Sequence, residues 1–106
     1  MRKSTSLLFY ALLSILSFFN IAYAEEASVL KAKELANTLC VACHGADGIS
    51  PVDLYPNLRG QGNIYLEKQL KDFRDGRRID PIMNANAASL DDATIKALAN
   101  YYANQD

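Results

Sequence analysis

The sequence predicts a small all-α domain of about three helices joined by two long loops. Two observations carry this prediction. Apolar residues recur at helical spacing in three stretches, and we find no run in which apolar and polar residues alternate as in a half-buried strand. The length of 106 residues allows one domain at most. We also find no internal repeat and no low-complexity segment.

The first 24 residues have the composition of a secretory signal peptide. Two basic residues near the start are followed by an apolar run from Leu7 to Phe19, and Ala22-Tyr23-Ala24 matches the small-x-small cleavage rule. The apolar run is shorter than the ~20 residues of a membrane-spanning helix, and an uncleaved membrane anchor is the alternative. We therefore expect cleavage before Glu25, a periplasmic location, and a mature domain over residues 25–106.

The charge of the mature domain argues against a nucleic-acid-binding protein. Removal of Arg2 and Lys3 with the signal peptide would leave nine basic and twelve acidic residues, a formal net charge of −3. Nucleic-acid-binding proteins instead present a basic surface to the phosphates. A domain of this size also buries only a modest core, so a covalent link or a bound group is expected to stabilise it.

The three predicted helices have apolar stripes with caps and breakers at their ends. They run from about Ala27 to Leu39, from about Ile64 to Arg74, and from Ser89 to near the C-terminus. Asn63 is expected to cap the second helix, and Ser89 with Asp92 forms a capping-box-like pair for the third.

Two irregular stretches separate these helices. Ile49–Asn63 contains two prolines and two glycines, which disfavour regular structure. Arg77–Ala88 contains Pro81, which disfavours helix in the residue before it. Loops of this length in a small domain are usually functional or packed on a bound group.

Residues 40–44 read Cys-Val-Ala-Cys-His, the C-x-x-C-H attachment signature of c-type haem. These are the only two cysteines and the only histidine of the chain. Two thiols at this spacing match the two vinyl groups of one porphyrin, and the adjacent histidine reaches the iron from the same face. The motif therefore predicts one covalently attached haem c, with thioethers at Cys40 and Cys43 and with His44 as an iron ligand.

Other interpretations of the two cysteines are weaker. A disulfide between them would close a very short loop and so remove little chain entropy. A thioredoxin-like redox pair requires a βαβ context, which the sequence does not show. A zinc site requires about four ligands, whereas Cys40, Cys43 and His44 are the only soft donors here.

Met83 is the predicted second axial ligand of the iron. Apart from Met1 it is the only methionine, it lies in a predicted loop among polar residues, and no second histidine is present. The alternatives are a gap-filling core methionine, a lysine or asparagine ligand, or an open position. The second ring nitrogen of His44 needs a hydrogen-bond acceptor, for which the carbonyl of Pro56 is the candidate.

With these residues in place, the chain resembles class I c-type cytochromes. It is most similar to the small monohaem cytochrome c553 type and to single domains of the dihaem cytochrome c4 family. The matching segments follow the family's order: CVACHGADG, YPNLRGQ, IYLEKQLKDFRDGRR, DPIMN and LDDATIKALANYYA. The chain has one haem motif, so by itself it cannot be a dihaem protein.

The resemblance implies a small cytochrome c-like fold in which two loops pack on the haem and the first and last helices touch. It implies thioethers at Cys40 and Cys43, and axial ligation by His44 and Met83. Two further contacts are implied: Pro56 as acceptor for the histidine N–H, and Arg78 as a contact of a haem propionate. A solvated surface arginine is the alternative for Arg78. The tyrosines at 55, 65 and 102 are expected to be packing residues.

The function expected from this resemblance is that of a soluble periplasmic electron carrier and not of an enzyme. Both axial positions would be filled, and methionine ligation would favour the ferrous state. The expected partners are redox protein donors and acceptors that bind transiently to a monomer with no membrane span after cleavage. One alternative is an electron-transfer subunit of a periplasmic dehydrogenase complex. Another is a haem enzyme or gas sensor with an open distal position.

Overall fold

The computed structural model describes residues 4–106, so the two basic residues of the predicted signal peptide lie outside the described part. The elements in chain order are α1 (Ser4–Leu35), a π-helical turn (Ala36–Cys40), α2 (Val41–His44), α3 (Asn63–Arg74), α4 (Pro81–Ala87) and α5 (Asp92–Ala103). Residues 4–106 contain no strand. The predicted all-α class is therefore confirmed.

The core forms around α5, which packs against both α1 and α3. Ile95 is completely buried on α5, and Leu98 is 2% exposed. The first helical segment meets this face through Ala32 and Ala36, which lie four residues apart and therefore on one side of the helix. Their small side chains let the two helices approach closely. The expected contact between the first and last helices is thus present.

The first helix is longer than the sequence predicted. It begins at Ser4 and not near Ala27, because Glu25, Glu26 and Ala27 are compatible with helix and no breaker separates them from the apolar run. Residues 6–27 are all exposed. The helical stretch 6–44 is long and apolar enough to cross a membrane, so helix length alone does not distinguish a signal peptide from a membrane anchor.

The second irregular stretch of the prediction contains a helix, α4. Asp80 is in an extended conformation, and its carboxylate accepts hydrogen bonds from the backbone N–H groups of Ile82 and Met83 at 3.0 and 2.9 Å. Pro81 occupies the first helical position, where its missing N–H has no intrahelical partner to lose. Met83 therefore lies on a short helix and not in a loop, which corrects the prediction.

Two predicted caps are displaced by one or two residues. Gly62 is the N-cap of α3, and Asn63 is already its first residue. Asp91 caps α5 in place of Ser89, because its carboxylate accepts the backbone N–H of Thr94 at 2.7 Å. Both helices still begin close to where the sequence places them.

A charged cluster at the end of α3 fixes the turn that leads to α4. Asp72 is only 8% exposed, and its carboxylate accepts hydrogen bonds from Lys68 and from Nε of Arg77, the latter at 2.8 Å. The backbone carbonyl of Asp72 accepts the N–H groups of Arg77 and Arg78 at 2.8 and 3.1 Å. Side chain and backbone of one residue thus hold both the helix end and the turn.

This cluster predicts a specific dependence of stability on pH. The hydrogen bonds from Lys68 and then from Arg77 hold the pKa of Asp72 below its ordinary value of 3.8. A carboxyl group with a lowered pKa stabilises the fold above its ordinary pKa, and this contribution is lost as pH falls through the lowered value. Asp72→Asn should therefore flatten the fall in the free energy of unfolding below about pH 4.

Chemical denaturation between neutral pH and pH 2 measures this effect. Asp53→Asn is the matched control, because Asp53 is exposed and its side chain has no hydrogen bond or ion pair among residues 4–106. Equal pH profiles for Asp72→Asn and the unsubstituted protein would contradict the prediction.

Candidate functional site

A cleft of about 490 Å³ opens between α2, the loop after it, α3, α4 and α5. This volume lies within the ~300–1,000 Å³ that is usual for cofactor sites. Its lining includes every residue that the sequence singled out for the site: Cys40, Cys43, His44, Pro56, Arg78 and Met83. Most of the other lining residues are apolar, so the cleft offers a largely dry environment to a bound group.

The two cysteines lie at the junction of two helical segments. Cys40 is the last residue of the π-helical turn, and Cys43 lies on α2. Both are partly buried and neither forms a disulfide. Burial raises the pKa of the Cys40 thiol, which disfavours the thiolate that a thioredoxin-like redox pair requires. π-Helical turns are rare and frequently mark functional sites.

His44 ends α2 and is 8% exposed. Its Nδ1 lies 2.8 Å from the carbonyl oxygen of Pro56. A carbonyl only accepts hydrogen bonds, so Nδ1 carries a proton, and in the neutral ring Nε2 keeps its lone pair. The ring is thus held in the tautomer that can bind a metal through Nε2.

The loop that carries Pro56 is folded back onto the domain by backbone hydrogen bonds. The carbonyl of Gly48 accepts the N–H groups of Leu58 and Arg59 at 2.7 and 3.0 Å, and the N–H of Gly60 donates to the carbonyl of Tyr102 at 3.0 Å. These bonds tie both ends of the loop together and attach it to α5. Pro56 is therefore placed by the fold and not by an independent loop conformation.

Met83 lines the cleft from α4 and packs partly against the core. The first turn of α4 is held by the Asp80 cap, which accepts the backbone N–H of Met83 itself. The sulfur ligand predicted from sequence is thus carried on an ordered helix that faces the same cleft as His44.

Arg78 lies at the rim of the cleft. Its guanidinium carbon is 4.6 Å from the centre of the Phe73 ring, a distance within the range of a cation–π contact. One of its terminal nitrogens donates to Oε1 of Gln69 at 2.6 Å. The remaining donors of the guanidinium group are available for an anionic group.

Tyr102 is a lining residue whose hydroxyl the sequence analysis did not assign to the site. It is 4% exposed, and its hydroxyl has no hydrogen-bond partner among the described residues. Burial raises the pKa of Tyr102, and the neighbouring Cys40 raises it further. Tyr102 lies on the apolar stripe of α5, so the sequence pattern indicates packing only and contains no signal for the orientation of the hydroxyl.

The donor set of this cleft fits haem c. It combines two thiols separated by two residues, an imidazole with a free Nε2, a thioether and a rim arginine within one largely apolar space. A structural zinc site is not favoured, because residues 4–106 hold no group of three or more histidine, cysteine or acidic side chains arranged around one point.

Comparison with known proteins agrees with this fit. The family model for cytochrome c matches residues 29–105. Cytochrome c4 of Pseudomonas aeruginosa is 39% identical over 99 residues, which cover 92% of this chain and 48% of that protein. Cytochrome c-554(548) of Halomonas halodenitrificans is 44% identical over 70 residues, covering 63% of this chain and 84% of that protein.

Two further comparisons extend the same result. The thiosulfate dehydrogenase electron acceptor of Thiomonas intermedia is 45% identical over 64 residues, covering 59% of this chain and 30% of that protein. The crystal structure of reduced recombinant cytochrome c4 from Pseudomonas stutzeri superposes with a TM-score of 0.68 at 32% identity, covering 76% of this chain and 50% of that chain.

The chain spans about half the length of the cytochrome c4 relatives that it matches. Over the matched length, Cys40 and Cys43 occupy the positions of the C-x-x-C-H motif. The chain belongs to the cytochrome c family, and its cofactor is covalently bound haem c, the electron-transfer group of that family.

Proposed function

We propose that the protein is a monohaem cytochrome that carries single electrons between periplasmic redox proteins. The observation that carries this proposal is the convergence of Cys40, Cys43, His44 and Met83 on one cleft of about 490 Å³. The four side chains are sufficient to attach one haem and to fill both axial positions of its iron.

In this proposal the cysteines attach the cofactor and two other side chains ligate the iron. Cys40 and Cys43 would form the thioethers, and Nε2 of His44 and the sulfur of Met83 would ligate the iron. The hydrogen bond from Nδ1 of His44 to the Pro56 carbonyl orients the ring and makes Nε2 a stronger donor. Bound haem c supplies an iron that alternates between the ferric and ferrous states.

The remaining lining residues tune this chemistry. Met83 favours the ferrous state, which raises the reduction potential relative to ligation by two histidines. The apolar walls limit the access of water to the iron. Arg78 would contact a haem propionate through the guanidinium donors that Gln69 leaves free. Both axial positions are taken by protein side chains, so the proposal assigns no substrate binding and no enzymatic reaction to the iron.

The proposal includes export and cleavage of residues 1–24. Residues 6–24 are exposed and contribute nothing to the core. Cleavage before Glu25 would keep Ala32 and Ala36, the residues that α1 and the π-helical turn bury in the core. The mature protein would then be a monomeric domain over residues 25–106 without a membrane span.

A fixed subunit of a periplasmic dehydrogenase is the second candidate function. It is favoured by one observation, the similarity to a protein named as the electron acceptor of a thiosulfate dehydrogenase. Size-exclusion chromatography of an undisturbed periplasmic extract separates the two candidates. A free carrier elutes as a small monomer, whereas a subunit elutes with a larger partner.

Intact-mass spectrometry together with a visible and near-infrared spectrum tests the proposal. The full chain is exported through a bacterial c-haem maturation pathway, purified, and denatured before the mass is measured. We expect the mass of residues 25–106 plus one haem, a low-spin spectrum and the weak sulfur-to-ferric-iron band of methionine ligation. The Cys40→Ala, Cys43→Ala double variant should lose haem on denaturation.

Each part of the proposal has its own contrary outcome. Denatured wild-type protein without haem would overturn covalent attachment at the cysteines. A high-spin spectrum would overturn axial ligation by Met83 and favour an open distal position. A mass that includes residues 1–24 would overturn signal cleavage and favour a membrane anchor.

A further inference from the structure

Asn84, the residue after Met83, makes three side-chain hydrogen bonds that join the start of α4 to the end of α3. Its side-chain N–H group donates to the carbonyl of Phe73 at 2.7 Å and to the carbonyl of Arg78 at 2.8 Å. Its side-chain oxygen accepts the backbone N–H of Asp80 at 2.8 Å. The amide orientation is unambiguous, because the two carbonyls only accept and the backbone N–H only donates.

These bonds fix the position of α4 in a way that the helix cap does not. The Asp80 carboxylate binds N–H groups of α4 itself and therefore fixes where the helix begins. The Asn84 side chain instead bonds to three points that precede α4: Phe73 in the last turn of α3, Arg78 in the following turn, and Asp80. Loss of its side chain would leave α4 capped but less firmly attached to α3.

Asn84 makes these bonds outside the cleft. Met83 lines the cleft, whereas Asn84 does not. Consecutive residues of an α-helix point about 100° apart, since there are 3.6 residues per turn. Asn84 can therefore hold the helix against the turn while Met83 is directed into the cleft, and a substitution at Asn84 removes no side chain that lines the cleft.

We infer that Asn84 is a positioning residue, which holds α4 so that the sulfur of Met83 stays at the axial position of the iron. This inference rests on the proposed axial role of Met83. Asn84 thereby keeps rare those states in which α4 moves and the methionine leaves the iron. An external ligand binds only to such open states, so its apparent affinity reports how often they occur.

The inference is tested by titrating the ferric holoprotein with imidazole and monitoring the loss of the sulfur-to-iron band. Asn84→Ala removes all three hydrogen bonds. We expect imidazole to bind at least about tenfold more tightly, a change equal to about 1.4 kcal/mol, because the loss of three hydrogen bonds makes the open states more populated. Asn84→Asp is a second variant of nearly the same shape, which loses both donated bonds and should change the affinity in the same direction.

Two controls distinguish positioning from a general loss of stability. Asn104→Ala removes a single bond, from an exposed side chain to the Asn100 carbonyl at 2.8 Å near the C-terminus. Asp91→Ala removes the N-cap bond of α5 to Thr94 at 2.7 Å and so lowers stability, but leaves the Asn84 bonds in place. Both should leave imidazole affinity within about twofold of the wild type, even where the thermal midpoint falls, because a twofold change is only about 0.4 kcal/mol.

The possible results separate this inference from the proposed function. Suppose that the wild-type protein shows the band and that Asn84→Ala, Asn84→Asp and Asn104→Ala all bind imidazole with the wild-type affinity. This result would overturn the positioning role of Asn84 and leave Met83 as the ligand. Equal tightening by Asp91→Ala and Asn84→Ala would also overturn it, because stability alone would then explain the effect. Absence of the band in the wild-type protein would overturn ligation by Met83, and this inference with it.

Discussion

Replacement of Met83 by alanine should open the iron of the holoprotein to carbon monoxide. In the proposed ligation, carbon monoxide has to compete with the Met83 sulfur for the iron, and only the small population with a displaced methionine would bind it. Alanine cannot ligate the iron. We expect the affinity of the ferrous protein for carbon monoxide to rise at least about a hundredfold, equivalent to about 2.8 kcal/mol. The reduction potential should fall, because methionine ligation raises it.

Titration with carbon monoxide, followed in the visible spectrum, measures this change. Ile82→Ala is the matched control, because Ile82 precedes Met83 on α4, lines the same cleft and carries no ligand atom. Truncation there enlarges the cleft without removing a ligand, so carbon monoxide affinity should stay close to the wild-type value. Equal binding to the wild-type and Met83→Ala proteins would show that Met83 is not the ligand.

The fold class was predictable because its signals are local. The apolar stripes of α3 and α5 each extend over several helical turns, so the periodicity is clear and both helices begin close to the predicted positions. The C-x-x-C-H motif is equally local, since its five residues follow one another from the end of the π-helical turn to the end of α2. Local signals of this kind need no knowledge of the tertiary structure.

The errors came from signals that have two meanings. Residues 77–88 were predicted to be irregular because a proline disfavours helix in the residue before it, but after the capping residue Asp80 a proline is favourable at the first helical position. The resulting helix has only seven residues, too few for a clear apolar period. The first helix was predicted to begin near Ala27, because the apolar run before it resembled a separate segment, although no breaker interrupts the helix.

Other features of the site depend on tertiary contacts. The three hydrogen bonds of Asn84 link residues six and eleven positions apart as well as a near neighbour, and a lone asparagine beside a methionine gives no indication of them. The buried hydroxyl of Tyr102 is similar, because its position on the α5 stripe is explained by packing alone. Such contacts become visible only when the chain is folded.

Gly45 is the position at which the smallest change should have the largest effect on stability. It follows His44 directly and has φ +82° and ψ 160°, a region essentially restricted to glycine that costs about 1–3 kcal/mol for other residues. A Cβ added there would also lie 1.7 Å from the carbonyl oxygen of Ile49. Because the obstructing atom is backbone, the loop leading to Pro56 would have to move.

We therefore expect Gly45→Ala to be far less stable than the wild-type holoprotein. Gly60→Ala is the control, because Gly60 has φ +70° but nothing within 4 Å of an added Cβ. The free energy of unfolding of Gly60→Ala should fall only by the conformational cost of about 1–2 kcal/mol. The free energy of unfolding of Gly45→Ala should fall by at least about 2 kcal/mol more than that of Gly60→Ala, the range in which steric conflict within the fold dominates.

Guanidinium denaturation of the two holoproteins, followed by haem absorbance, measures the difference. Gly45→Ala should unfold at a clearly lower denaturant concentration than Gly60→Ala, and failure to accumulate as folded protein would be the extreme form of the same result if Gly60→Ala is obtained normally. Equal midpoints would show that the turn after His44 can open without cost. In that case the loop could not be what holds the Pro56 carbonyl 2.8 Å from the histidine ring, and the orientation of His44 would have to come from the bound haem.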